Sequence, residues 1–194
     1  MKWKKTFPGI VLTCFLLIFL ASCAWSPGHP DYTNESMDFG AVRSVAVLPF
    51  MNLSSDDQAG ERVRDAFMGM LLATEAIYVL PPGEVERGIS RVGIRIPQTP
   101  TMEEVTKLKG VLEVDAVITG VLREYGVVRS GSAEANLVSL SLQMLETQTG
   151  STVWAASSTK GGISLTDRLL GSGGRPMNDV TIQVIDDLLD ELFD

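Results

Sequence analysis

Two segments in the C-terminal half decide the fold: LVSLSLQML at residues 137–145 and TVWAASST at residues 152–159. The first segment alternates apolar and polar residues, which predicts a strand with one buried face and one solvated face. The apolar face holds Val138, Leu140, Leu142 and Met144, and the other holds Ser139, Ser141 and Gln143. Gly150 ends the intervening ETQTG and suits the positive φ of a hairpin loop. The pair therefore predicts an antiparallel hairpin.

The segment VRSVAVLPF at residues 42–50 is a nearly continuous apolar run, which predicts a strand covered on both faces. A helix should follow as far as about Ala73, since apolar residues recur there with helical spacing. Ser55 and Gln58 have the spacing of a capping box at its start. The apolar stripe comprises Val63, Ala66, Phe67, Met70 and Leu71, and the polar residues expected to face away are Glu61, Arg62, Arg64 and Asp65. We expect Met68 and Met70 to serve packing.

The remaining pattern alternates short strands and helices. We expect strands at 77–80 and 116–125 and a polar connection at 127–135. We expect helices at 83–92, at 165–170 and from about 178. A further helix should begin at a capping box formed by Thr101 and Glu104 and end at about 112. This order predicts an α/β (α+β) sandwich, in which a small mixed β-sheet of about five strands is flanked by helices.

The N-terminus resembles an export signal. Three lysines precede an apolar stretch from Ile10 to Ala21, which is shorter than the roughly 20 residues of a membrane-spanning helix. Leu20-Ala21-Ser22-Cys23 looks like a bacterial lipobox, which predicts a lipoprotein signal peptide at 1–22 and lipidation of the Cys23 thiol. Two or three acyl chains would anchor the protein stably in a membrane. Ala24 follows Cys23 in place of the Asp typical of inner-membrane retention, which favours the outer membrane.

The segment after Cys23 is rich in Pro, Gly, Ser and Asn, so we expect a linker at 23–40 and one domain at 41–194. The chain has 16 Lys and Arg, 24 Asp and Glu, and a net charge of −8; loss of the three signal-peptide lysines makes the mature charge −11. Such an acidic chain is a poor partner for nucleic acid. Cys23 is the last cysteine, so the mature chain has no intramolecular disulfide.

Few residues offer catalytic or metal-binding chemistry. His29 is the single histidine and lies in the expected linker, which argues against a Cys/His zinc site and a Ser-His-Asp triad. The adjacent pairs Asp56–Asp57 and Glu103–Glu104 diverge by about 100° on a helix and cannot work as paired acid and base. We therefore predict that the protein is not an enzyme and has no cofactor and no metal site.

Four further features have an ordinary structural interpretation beside a functional one. GSGGR at residues 171–175 has glycines that favour anion binding but lacks the Lys-Ser/Thr of a P-loop, so we expect a flexible loop. Asp115 is expected in a turn and Trp154 in the core. The last helix carries Asp186, Asp187, Asp190, Glu191 and Asp194, which form either a solvated end or a contact for a basic partner.

Three stretches carry a family resemblance: VAVLPFMNLS (45–54), VDAVITGVLREYG (114–126) and LSLQMLETQTGSTVWAASSTKGG (140–162). They resemble a superfamily of outer-membrane lipoproteins and periplasmic domains that includes CsgG, the TolB N-terminal domain and LpoB. YVLPPGEVERGISRVG (78–93) looks most like the neisserial surface lipoproteins of this group. The resemblance implies a non-catalytic role at the outer membrane. CsgG also inserts two β-hairpins into the membrane, for which the stretches 127–135 and 161–176 look too short or too rich in glycine.

We therefore expect a lipid-anchored adaptor or accessory protein on the periplasmic side of the outer membrane, bound through Cys23 and through an unidentified envelope protein. The alternative is a subunit of a CsgG-like oligomeric secretion assembly, which would make the protein a homo-oligomer.

Overall fold

The computed structural model describes residues 31–34, 37, 39–131, 133–163 and 174–193. The described strands are β1 Tyr32–Thr33, β2 Ser44–Val47, β3 Met51–Asn52, β4 Tyr78–Val79, β5 Ala116–Ser130, β6 Ala133–Glu146 and β7 Thr152–Gly161. The described helices are α1 Ala59–Ala73, α2 Pro82–Val92, α3 Met102–Leu112 and α4 Met177–Phe193. The helix predicted at 165–170 lies outside the described residues.

The strands form one mixed sheet in the order β1-β7-β6-β5-β2-β4, and β3 pairs with β5 beyond the end of β2. β2 runs parallel to both β4 and β5, whereas each neighbouring pair along β5-β6-β7-β1 is antiparallel. The hairpin of β6 and β7 is confirmed, with Met144 opposite Trp154 and Gly150 at φ +73°. The sheet has seven strands where about five were expected, because β1 and β3 are two-residue pairings with no pattern of their own.

Helices cover both faces of the sheet, which confirms the α/β sandwich. α1 and α4 pack on one face against a core that includes Val45, Leu140 and Trp154. α2 and α3 pack on the other face, against Ala46 and Val117. Residues 45 and 46 point to opposite faces because side chains alternate along a strand. The central strand β2 is therefore buried on both sides, as its apolar sequence predicts.

The polar face of β6 is only partly covered by helices. Ser139 and Ser141 are half-buried and Gln143 is exposed, so the prediction of a half-solvated strand is confirmed. The Arg123 guanidinium donates from Nε to the Ser141 hydroxyl at 3.0 Å, and the hydroxyls of Ser139 and Thr159 lie 2.8 Å apart.

The prediction of a polar connection at 127–135 is wrong, because β5 and β6 continue as a paired ribbon. Beyond the pair Leu137–Gly161, where the β7 pairing ends, the register continues from Val127 opposite Asn136 to Ser130 opposite Ala133. We call residues 127–131 and 133–136 the β-arm. Across the two strands Arg129 donates to Glu134 at 2.6 Å, and Gly131 adopts φ +63° at the tip. The β-arm extends four residue pairs beyond the end of β7, which is still short of the about 9–11 residues of a membrane-crossing strand.

The start of α1 differs from its prediction in two ways. The Ser55–Gln58 capping box does not form: Gln58 occupies the N-cap position without a side-chain cap, and its N–H instead donates to the Asp56 carboxylate at 3.1 Å. Arg64 is 7% exposed and does not face solvent. Its Nε and Nη2 donate to the Val47 carbonyl at 3.2 and 2.6 Å, where the strand β2 ends. Burial lowers the pKa of this guanidinium.

Candidate interaction surface

The predicted lipidation residue Cys23, the predicted signal peptide at 1–22 and His29 lie outside the described residues. The described chain begins at Asp31, and β1 then pairs with β7 through Tyr32 opposite Ala155. β1 lies within the range 23–40 expected as a linker, so part of that range joins an edge of the sheet. The chain from the predicted anchor therefore enters the domain along the outer edge of β7.

The acidic pairs singled out in the sequence have structural roles. Asp56 forms an ion pair with Arg62 and also caps the turn before α1. Glu103 accepts from Lys107 at 2.8 Å, and this hydrogen bond lowers the pKa of the Glu103 carboxyl. Glu104 completes the predicted capping box, in which its carboxylate accepts from the Thr101 N–H at 2.7 Å. Among the described residues no cluster of three or more His, Cys, Asp or Glu side chains is arranged to hold a metal ion.

Asp115 is more than the turn residue that the sequence suggests. Its Oδ2 accepts from the backbone N–H groups of Arg43 and Ser44 at 3.0 and 3.1 Å, and from the Ser44 hydroxyl at 3.0 Å. Desolvation raises the pKa of the carboxyl, but these hydrogen bonds outweigh it and the net pKa is lowered. Asp115 therefore joins the beginnings of β2 and β5 and is structural.

Trp154 and Met68 lie in the core, as predicted. Trp154 is 2% exposed, and its indole N–H donates to the Glu191 carbonyl at 3.3 Å, which ties β7 to the end of α4.

Of the glycine-rich stretch 171–175, the structure describes only Gly174 and Arg175. The Arg175 carbonyl accepts from the Asn136 amide at 2.7 Å, and its guanidinium donates to Gln183. Both groups of Arg175 are therefore engaged within the fold.

An apolar groove runs between the C-terminal ends of α1 and α4. One part, of about 340 Å³, has Met70, Ala73, Leu189 and Phe193 in its walls. The adjoining part, of about 290 Å³, is lined mainly by Phe39, Val42, Ile77, Met144, Leu192 and Phe193. Phe193 borders both parts and is 43% exposed, so we treat them as one surface and call it the α1–α4 groove. The open apolar walls make it suitable for binding a side chain or a short segment of another molecule.

The rim of the α1–α4 groove is acidic. Asp186 and Asp190 lie on its wall, one helical turn apart on α4, and both are exposed. Asp187 points elsewhere: its carboxylate binds Lys160 at 2.7 Å and the Ser158 hydroxyl at 2.6 Å. The sequence showed the acidic tail of α4 but not the groove, because Phe39, Val42 and Ile77 come from segments distant in sequence and carry no local signal.

Comparison with known families identifies the chain. The model of the lipoprotein GNA1162-like family matches residues 31–194. The chain belongs to this family. The match covers every described residue and starts eight residues after Cys23. Among curated proteins no sequence matches the chain. Within the part of the chain that the structure describes, no helix has the length and hydropathy of a membrane span.

Solved structures share this fold at low sequence identity. Lipoprotein GNA1162 from Neisseria meningitidis is 20% identical with a TM-score of 0.53, and the match covers 78% of this chain and 98% of that one. A PelC dodecamer from Paraburkholderia phytofirmans is 14% identical with a TM-score of 0.57, covering 85% and 96%.

The family match confirms the lipoprotein part of the resemblance seen in the sequence. The naming of CsgG and the TolB N-terminal domain gains no support from these comparisons. A membrane-associated lipoprotein is therefore the class of protein to which the function must belong.

Proposed function

We propose that the protein is a non-catalytic accessory lipoprotein, anchored by Cys23 in the outer membrane and facing the periplasm, that binds another envelope protein. The observation that carries the proposal is membership of a lipoprotein family in a chain that has LASC at residues 20–23. The eight residues from Cys23 to Asp31 span at most about 28 Å, so the tether holds the domain close to the membrane. The acidic domain itself has little affinity for anionic lipid.

The described residues support a binding role over a catalytic one. Asp56, Glu103, Glu104 and Asp115 each hold a turn, a helix or a strand start, as described above. The α1–α4 groove, in contrast, is an open surface with a distinct chemical character. A tethered domain with such a surface is suited to recruiting a partner at the membrane.

The test compares full-length protein with Cys23→Ser and Cys14→Ser variants in the native envelope. Only Cys23 lies at the predicted lipidation position, so Cys14→Ser is a matched control inside the signal peptide. We expect wild type and Cys14→Ser to fractionate with the outer membrane and to capture the same partner after crosslinking. Cys23→Ser should lose the membrane fraction and most of the partner.

Two results would contradict this proposal. If Cys23→Ser changes neither fractionation nor capture, the anchor at Cys23 is wrong. If wild type is anchored but crosslinks to no other envelope protein, the accessory role is wrong.

A second candidate function is a subunit of an oligomeric export assembly, as the resemblance to CsgG first suggested. The observation that favours it is the shared fold with PelC, whose structure is a dodecamer. The β-arm offers a surface for subunit contacts, since Val127 is 54% exposed on it. Rings of the lipidated protein in detergent that disappear on Val127→Asp substitution would support this candidate. A monomer at every concentration would exclude it.

A further inference from the structure

We infer that the α1–α4 groove binds a basic amphipathic segment of the partner protein, with apolar side chains in the groove and Lys or Arg on its rim. This inference rests on the proposed function, because it names the surface and the chemistry by which the accessory protein holds its partner. It commits to one occupant, a protein segment with clustered cations beside apolar anchors.

The groove presents apolar side chains on a concave surface. Its two parts adjoin at Phe193, which is 43% exposed. Met70 and Leu192 are only partly buried against the core and line the same walls. Partly exposed aromatic and methionine side chains at the wall of a concave surface are typical of a site that binds apolar side chains of a partner.

The acids on the rim oppose the stability of their own helix. Asp186 and Asp190 are four residues apart, a spacing at which like charges repel on a helix. Asp190 lies in the last turn of α4, where the helix dipole disfavours negative charge, and that turn has no basic residue. Neither of the two described parts of the groove is lined by a Lys or Arg that offsets these charges. Cations supplied by a partner provide the missing complement.

The same charges argue against the other occupants. An anionic lipid surface is repelled by the rim. A second copy of this chain carries a net charge of −11 after signal cleavage, so copies repel each other overall. A basic amphipathic segment has both the apolar anchors and the charge that the groove requires.

The experiment places a photo-crosslinking amino acid at Ala73, in the wall of the groove, in full-length lipidated protein in its native envelope. The matched control position is Gln148, which is exposed in the loop between β6 and β7. Mass spectrometry then identifies the segment crosslinked to each position. We expect Ala73 to crosslink to a segment of an envelope protein that has a net positive charge and an apolar face.

The charge requirement is tested by a pair of double variants. Asp186→Asn with Asp190→Asn should lower the crosslink yield at Ala73 about fivefold, the loss expected for two exposed charge pairs. Asp57→Asn with Asp65→Asn removes the same charge from two exposed positions that do not line the groove, one before α1 and one midway along it, and should leave the yield unchanged. Added salt should reduce the wild-type yield and have little effect on the yield of the first double variant, which lacks both rim charges.

Several outcomes would overturn the inference. The first is a crosslink from Ala73 to lipid, to a second copy of the chain, or to an acidic or uncharged segment. The second is a crosslink yield at Ala73 that is no higher than the yield at Gln148. The third is an equal loss of crosslink yield in both double variants. If a partner is captured through the anchored protein while Ala73 crosslinks to none, the groove is wrong and the accessory role stands. If no partner is captured at all, the accessory role itself fails.

Discussion

At the scale of single residues, Asp115 shows how one carboxylate organises the centre of the sheet. Its Oδ2 accepts three hydrogen bonds from Arg43 and Ser44, across 71 or 72 residues of chain. These contacts connect the first residues of two parallel strands, β2 and β5, whose pairing begins with Val45 opposite Ala116. Parallel pairing has no short turn to set the register, so a side-chain contact of this kind contributes to it.

Replacing Asp115 by Ala should lower the free energy of unfolding by about 2 kcal/mol at neutral pH, because hydrogen bonds to a charged acceptor are lost. The folded pKa of this carboxyl is lowered, so its contribution is present above the unfolded value of about 3.9 and is lost as pH falls through the folded pKa. Urea unfolding of wild type and Asp115→Ala at several pH values measures this. A stability difference that stays constant down to the most acidic pH would contradict the assignment.

Sequence reasoning at this scale worked where a residue has one physically favourable role. The sequence predicts that Trp154, in an apolar strand, lies in the core and that Gly150 has a positive φ, and both predictions are confirmed. Arg64 was placed in solvent, because its charge suggests exposure. In the structure Nε and Nη2 of Arg64 donate to the Val47 carbonyl at the end of β2. This acceptor belongs to another element, so the sequence around Arg64 does not indicate it.

At the scale of elements, the two predicted capping boxes had different outcomes. At α3 the Thr101 hydroxyl accepts from the Glu104 N–H at 3.3 Å, and the Glu104 carboxylate accepts from the Thr101 N–H. At the start of α1 the Asp56 carboxylate, and not the Ser55 hydroxyl, accepts from the Gln58 N–H. An ion pair with Arg62 also holds the Asp56 side chain in this position. The spacing in the sequence is the same in both cases, so it does not by itself distinguish them.

These outcomes predict different effects of two similar substitutions. Thr101→Ala should lower the free energy of unfolding by about 1 kcal/mol, since it removes a helix cap. Ser55→Ala should change it by less than about 0.5 kcal/mol, because the exposed Ser55 side chain caps no helix. Chemical denaturation of both variants measures the two values, and equal losses would show that the α1 cap is wrongly assigned.

The β-arm marks the limit of element prediction. The stretch GVVRSGSAEAN at residues 126–136, which contains the β-arm, has Ser130, Gly131 and Ser132 at its centre and lacks a continuous apolar face. Such a sequence is typical of a loop. The strands continue because β5 and β6 are already in register over the core, from Ala116 opposite Glu146, and each further pair adds to an existing ladder. Cooperative pairing of this kind depends on the partner strand and is invisible in either strand alone.

At the scale of the whole molecule, the sandwich could be predicted but the groove could not. Periodicity indicated the apolar stripe of each helix, and the stripes of α1 and α4 do face one side of the sheet. The groove is formed where those two helices end beside Phe39, Val42 and Ile77. The acidic half of this surface was visible in the sequence as the tail of α4, whereas its apolar half exists only after folding has brought three segments together.

If the acids at the groove are kept for binding, their removal should stabilise the free protein. Asp186→Asn with Asp190→Asn should raise the free energy of unfolding by about 0.5–1 kcal/mol, because it relieves repulsion along α4 and at its C-terminus. Asp187→Asn, between them, should have the opposite effect, since the Asp187 carboxylate binds Lys160 and Ser158. Thermal and urea unfolding at low salt measure both changes. A loss of stability in the double variant would mean that Asp186 and Asp190 serve the fold, and the stability argument for a basic partner would then be void.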